Sequence, residues 1–193
     1  MRSLFALLPA AALLTSAAGL STAQAYGVAP GTADRGLAAT DRAMAVGPIP
    51  REIVPYTGAH PAGTIVVATS ERRLYLVLGE GQALRYGVGV GRPGFTWTGV
   101  HRIVRKAEWP DWRPPAAMLK RRPDLPRFME GGPDNPLGAR AMYLGSSLYR
   151  IHGSNEPNSI GQAVSSGCIR MTNEDVADLY ERVGPGTTVV VQR

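Results

Sequence analysis

The chain has 193 residues, a formal net charge of +6, one cysteine and three histidines. A single cysteine excludes a disulfide framework within the chain. With no close cluster of His, Asp and Glu beside it, no metal site is expected and no cofactor is called for. The cationic residues are scattered rather than gathered into a long run, which argues against nucleic acid as a partner.

The first residues read as an export signal. Met1-Arg2-Ser3 supplies a short positive start, Leu4 to Leu14 is apolar, and Ala23-Gln24-Ala25 offers small residues for cleavage. Residues 1–25 are therefore expected to be a signal peptide, which places the mature protein in the periplasm or cell wall. The apolar run is too short for a membrane span, and no other segment approaches the roughly 20 apolar residues a spanning helix needs, so no stable membrane insertion is expected. Arg2 is the only charge removed, and the net value falls from +6 to +5. An exported basic protein suits an anionic wall polymer or membrane surface, and the charge equally serves solubility.

Residues 26–62 are rich in Ala, Gly, Pro and Thr and poor in large apolar side chains. They read as a flexible lead-in, in which only Ile53-Val54-Pro55-Tyr56 could pack on the domain C-terminal to it. Residues 63–193 then form one domain of ordinary size. Thr64 to Thr69 and Arg73 to Leu78 are β-branched, aromatic and aliphatic runs separated by a short polar turn. Gly79-Glu80-Gly81-Gln82 turns the chain into Ala83 to Val90, so a meander of hairpins is predicted. Gly87-Val88-Gly89-Val90-Gly91 alternates like a strand and runs into Arg92-Pro93-Gly94 instead of a helix, which argues against a phosphate-binding loop. Further strands are predicted around Gly99 to Arg105, Ala141 to Leu144 and Leu148 to Ile151.

One helix is well marked. Thr172 with Asp175 three residues on fits a capping box, Val176, Leu179, Tyr180 and Val183 share a face, and Gly184-Pro185 stops it. Thr187 to Val191 reads as a closing strand. The fold class is mainly β, with this one C-terminal helix. Between Lys106 and Leu137 the prolines are too dense for a regular ladder, and long loops of this kind are often binding or lid elements. Trp109 and Trp112 are either anchors of that loop or part of the wall of a substrate groove.

A solitary thiol in an exported protein is available for chemistry. Cysteine catalysis needs a thiolate, a partner that handles protons, and donors for the oxyanion formed on attack. Cys168 in Ser165-Ser166-Gly167-Cys168-Ile169-Arg170 is the candidate nucleophile, and His152, ending a predicted strand before Gly153, is the candidate base. The N–H groups of Gly167 and Cys168 are the candidate oxyanion donors. If the segment is extended, Arg170 points to the same side as Cys168, where it could hold a carboxylate, fix the loop, or pair with Glu174 or Asp175. Each of these residues also has a purely structural reading. The remaining histidines, His60 and His101, have no such context.

Ile151-His152-Gly153-Ser154-Asn155-Glu156-Pro157, Ser159-Ile160-Gly161, Ser165-Ser166-Gly167-Cys168-Ile169-Arg170-Met171 and Asn173-Glu174-Asp175-Val176 resemble the catalytic signature of the L,D-transpeptidases, the YkuD-like domain. The resemblance extends upstream through Arg73-Leu74-Tyr75, Trp109 to Pro115 and Asn135 to Gly138, so it covers roughly Gly63 to Arg193. It implies a β-sandwich with a small helical contribution. It also implies acyl transfer on peptidoglycan stem peptides, in which the cysteine releases the terminal D-alanine and holds a thioester until an amine arrives. On that pattern Cys168 is the nucleophile and His152 the catalytic histidine, oriented by the carbonyl of Gly153, with Arg170 near the site. One position departs: many members carry His immediately before the Gly-Cys pair, where this chain has Ser166, at the substrate-binding edge of the motif.

The acceptor could be a second stem peptide, a lysine of an anchored protein, or a free D-amino acid. If water takes its place the protein is an L,D-carboxypeptidase. A non-catalytic wall-binding protein of the same fold is disfavoured by the presence of both His152 and Cys168, and a redox thiol protein by the lack of a resolving cysteine.

Overall fold

The apolar runs become strands because their alternating or continuous hydrophobicity gives them a face, or two, to bury. In the computed structural model the described residues are 49–193, so the expected signal peptide and the first part of the lead-in lie outside them. In chain order the elements are β1 (Glu52–Pro55), β2 (Ile65–Ala68), β3 (Arg73–Gly79), β4 (Gln82–Gly87), β5 (Val90–Gly91), β6 (Gly99–Glu108), α1 (Ala116–Arg121), β7 (Arg140–Leu144), β8 (Arg150–His152), β9 (Ala163–Ser165), β10 (Ile169–Arg170), α2 (Asn173–Arg182) and β11 (Thr188–Gln192). The protein is mostly β, as the sequence predicts. Nine strands are connected in the order β1-β4-β3-β2-β11-β6-β7-β8-β10, and β5 pairs with β9 separately.

The predicted meander is β2-β3-β4, antiparallel throughout. Every residue of β2 is buried, which explains its uninterrupted Ile-Val-Val-Ala sequence. The closing strand β11 returns to lie parallel to β2 and antiparallel to the first part of β6. The ten-residue β6 joins two halves of the structure: Gly99–Arg102 pair with β11, whereas Ile103–Glu108 pair with β7. Side chains from both halves, among them Leu74, Tyr86, Met142 and Ile151, share one core cluster with Val176 and Leu179 of α2.

Helix α2 begins as predicted, with the Asp175 N–H donating to Thr172 Oγ1 at 3.1 Å. Its end is closed from outside the helix: Lys106 Nζ of β6 donates to the carbonyls of Tyr180 and Val183 at 2.5 and 2.7 Å, a cation on the negative end of the helix. The predicted strand from Ala83 to Val90 is broken. Strand β4 ends at Gly87, and Gly89 instead exchanges two backbone hydrogen bonds with Arg170, tying this stretch to the C-terminal motif.

The lead-in needs correction at its C-terminal end. Glu52–Pro55 is an edge strand paired with β4, with a cross-strand ion pair between Glu52 and Arg85, and Arg51 reaches Asp175 and Asp178 of α2 at 3.5 and 3.3 Å. The folded region therefore starts well before residue 63. The strand takes in most of Ile53 to Tyr56, the stretch expected to pack on the domain, and it is held by its edge-strand backbone and charged neighbours rather than by apolar bulk.

Candidate active site

Strand β8 lies between β7 and β10, and its parallel pairing with β10 sets the site. Ile169 is opposite Ile151, and Arg170 is opposite His152. Side chains two residues apart on a strand share a face, and residues across a parallel pair point the same way. Continuing the register by one residue places Cys168 opposite Arg150. Four side chains thus form a square on one face: Cys168 beside Arg150, and Arg170 beside His152, with thiol and imidazole on the diagonal. All four line a cleft of about 750 Å³.

His152 is buried, and its Nδ1 lies 2.6 Å from the Gly153 carbonyl oxygen. A carbonyl only accepts, so Nδ1 carries the proton and Nε2 of the neutral ring keeps its lone pair. Gly153 is glycine for packing: a Cβ there would lie 2.3 Å from Asn173 Oδ1, which itself accepts from the Ala139 N–H at 2.9 Å. Asn173, at the start of α2, thereby seats the turn whose carbonyl orients the imidazole. Close approach of Asn173 is therefore the reason for glycine at this position.

Burial pushes the His152 imidazole down to about 3, with the Arg170 and Arg150 charges acting the same way and the Gly153 and Leu137 carbonyls opposing. Burial also pushes the Cys168 thiol up, against the lowering influence of Arg150 and then Arg170. The resting pair is therefore a neutral thiol and a neutral imidazole. Neither charge is favoured where water is largely excluded.

The loop that carries Cys168 is fastened at several points. Ser165 Oγ donates to the Cys168 carbonyl at 2.6 Å and accepts from the Gly167 N–H at 3.1 Å. Gly167 has φ of 111°, and a Cβ there would lie 2.5 Å from the Tyr149 ring. Its carbonyl accepts from Trp97 Nε1 at 2.7 Å, and Trp97 stacks on Tyr149 with centroids 4.3 Å apart. Because the Gly167 N–H is already committed to Ser165, it is not a free oxyanion donor. The Cys168 N–H donates to no acceptor among the described residues and retains that capacity. Trp97, Tyr149 and Ser165 were missed as site residues. The serines of the motif were the available signal for Ser165, but nothing in the sequence links Trp97 to residue 167.

Arg170 pairs with Glu156 at 2.6 Å, and not with Glu174 or Asp175. Ser166 lines the cleft and accepts from Arg92 Nη1 at 3.4 Å. The two tryptophans of the Pro-rich loop separate. Trp112 lines the cleft and exchanges backbone hydrogen bonds with Met129, whereas Trp109 is 43% exposed, has φ of 38° and is not part of the cleft wall. The loop also supplies Met118, Arg121, Leu125 and Leu137 to the lining.

The fold and this site define a β-rich protein with one thiol and a carbonyl-oriented imidazole facing a common cleft. Residues 62–191 match the YkuD family, described as the L,D-transpeptidase catalytic domain. The chain belongs to the L,D-transpeptidase family. It is 39% identical over 136 residues to the probable L,D-transpeptidase ErfK/SrfK of Escherichia coli K12, covering 66% of this chain and 43% of that protein. It is 37% identical over 150 residues to the probable L,D-transpeptidase YbiS of the same organism, covering 73% and 47%. The chain thus spans about half the length of the curated relatives it matches. An L,D-transpeptidase structure from Mycobacterium smegmatis shares the fold with a TM-score of 0.55 at 18% identity, covering 67% of this chain and 58% of that one.

Proposed function

We propose that the protein is an exported cysteine acyltransferase acting on peptidoglycan stem peptides. The observation that carries the reading is the diagonal placement of Cys168 and His152 on one face of the β8–β10 pair, with Nδ1 of the imidazole committed to Gly153. Family membership supplies the substrate class. Cys168 Sγ attacks the amide carbonyl that precedes a terminal D-alanine while its proton passes to His152 Nε2, so that charge develops only along the reaction path. The Cys168 N–H faces the developing oxyanion. Collapse breaks the C–N bond, the imidazolium returns its proton to the departing amine, and a thioester remains on Cys168. An incoming amine then attacks, His152 takes its proton, and the C–S bond breaks to restore the thiol. With water as acceptor the same steps give an L,D-carboxypeptidase.

Mass spectrometry of muropeptides after incubation of purified sacculi with the protein tests the reading. Crosslinked dimers support acyl transfer to an amine, tripeptides alone support hydrolysis, and unchanged tetrapeptides refute both. The export signal at residues 1–25 and the positive charge support a periplasmic or wall location, which cell fractionation checks.

A further inference from the structure

Arg150 stands opposite the nucleophile, yet neither the sequence motif nor the proposed reaction uses it. Its Nη1 donates to the Leu148 carbonyl at 3.2 Å. The Cys168 thiol is directed to the same oxygen, with Sγ 3.8 Å away. Thiol and guanidinium therefore share one acceptor and lie within the sum of those two distances of each other. The pattern of the sheet adds a second donor. Tyr149 and Gly153 of the β8 segment bond to β7, and His152 bonds to the chain at Met171, so the peptide groups of Arg150 and His152 face β10. The Arg150 N–H thus opens toward the chain entering β10, where Cys168 sits.

The guanidinium is not consumed by an ion pair. Arg170 has Glu156, Arg122 has Asp124 and Arg140 has Glu108, but among the described residues Arg150 has no carboxylate, and its buried Nε has no hydrogen-bond partner. Its plane lies near the Tyr143 ring, 5.2 Å from the centroid, on a platform whose closer contact is Arg105 at 3.6 Å. A cation with spare donors has thus been left beside the sulfur in a half-buried cleft.

We propose that Arg150 is the counter-charge of the Cys168 sulfur: when the thiol proton leaves for His152, the guanidinium releases the Leu148 carbonyl and donates to the sulfur anion. Loss of the thiol proton turns the contact between sulfur and Leu148 oxygen from attractive to repulsive, and the shared acceptor makes the exchange a local rotation. The burial that opposes ionisation is then offset by Arg150 more than by any other side chain, in agreement with the order of influences on the thiol. His152 acts as proton acceptor and Arg150 as electrostatic partner, two roles that a single imidazolium would otherwise combine.

The inference rests on Cys168 being the nucleophile but not on the identity of the acyl donor, so the test uses iodoacetamide and no peptidoglycan. Alkylation of Cys168 is followed from pH 5 to 10 for wild type, Arg150→Gln and Arg150→Lys, with near-ultraviolet circular dichroism to confirm the fold. The expected result is a profile displaced to higher pH in Arg150→Gln, with about a tenfold lower rate at pH 7 for a displacement of about one unit, and substantial recovery in Arg150→Lys. A profile for Arg150→Gln superimposable on wild type overturns the proposal. Should Arg150→Gln not fold, the 15Nε resonance of Arg150 decides: it should shift with thiol ionisation in wild type and stay fixed in Cys168→Ser. A resonance that ignores the thiol in wild type overturns the proposal equally. Failure of the sacculus assay with a displaced profile would refute the substrate class and leave the role of Arg150 standing.

Discussion

Two irregular segments border the same cleft, and they are held in opposite ways. The turn at Ser165–Cys168 spans few residues but is fixed by Ser165 Oγ, by Trp97 Nε1 on the Gly167 carbonyl, by the Tyr149 ring under Gly167, and by β5 pairing with β9. The Pro-rich loop between β6 and β7 is far longer and its supports are more widely spaced, among them the Trp112–Met129 bridge, Asp111 accepting from Gly131, Asn135 bonding to Met129, Glu130 and Leu137, Asn155 donating to the Asp134 carbonyl, and Arg113 over the Phe128 ring. Its helix α1 buries no residue and has no side-chain cap. The contrast separates two tasks. A reacting group must be positioned to within a fraction of an ångström, whereas a cleft wall that only borders it needs weaker local supports.

The most severe break of this comparison is removal of the sulfur itself. Cys168→Ala should abolish turnover in the muropeptide assay with little change in melting temperature, because the side chain is small and half-buried. Turnover near wild type would refute the assignment.

Loosening the turn comes next. Ser165→Ala strands the buried Gly167 N–H and the Cys168 carbonyl, at a cost of about 1–3 kcal/mol, and should lower kcat by one to two orders of magnitude. Trp97→Phe keeps the stack on Tyr149 but removes the Nε1 donor, and should lower kcat by a smaller factor. Unchanged kinetics with lowered stability in both variants would mean that the turn is merely structural.

On the other side of the cleft, Trp112→Ala should raise KM several-fold while alkylation of Cys168 by a small reagent stays fast. Trp109→Ala should change KM by less than twofold, since its ring stands outside the cleft wall. Equal effects at the two positions would erase the distinction drawn between them.

A separate expected effect is on stability against pH. The His152 value in the folded protein lies below the ordinary 6.5, so the unfolded chain takes up the proton first. Stability is fully present above pH 6.5 and is lost as the pH falls from 6.5 toward about 3. His152→Ala should flatten the decline of melting temperature across that window. Parallel curves would show that the imidazole is not held neutral in the folded protein.

The sequence by itself determined the strand runs of β2, β3, β6, β7 and β11, the capped start of α2, and the residue types of the chemistry, because hydrophobic period, turn chemistry and capping are local. It also carried the motif around Cys168 and His152. Only the tertiary structure decided how these parts meet. Burial made the resting pair neutral, and burial is a property of the packed cleft. The Gly167 N–H was claimed by Ser165, Gly153 was fixed by Asn173, and Trp97 reached Gly167 across seventy residues of chain. The sequence marked Ile53 to Tyr56 as able to pack, but not where, because the partners of this edge, Arg85 in β4 and the carboxylates of α2, are distant in sequence. Parallel pairing of β8 with β10 aligned Arg150 with Cys168, and such a register is set by packing on a common core, not by either segment alone.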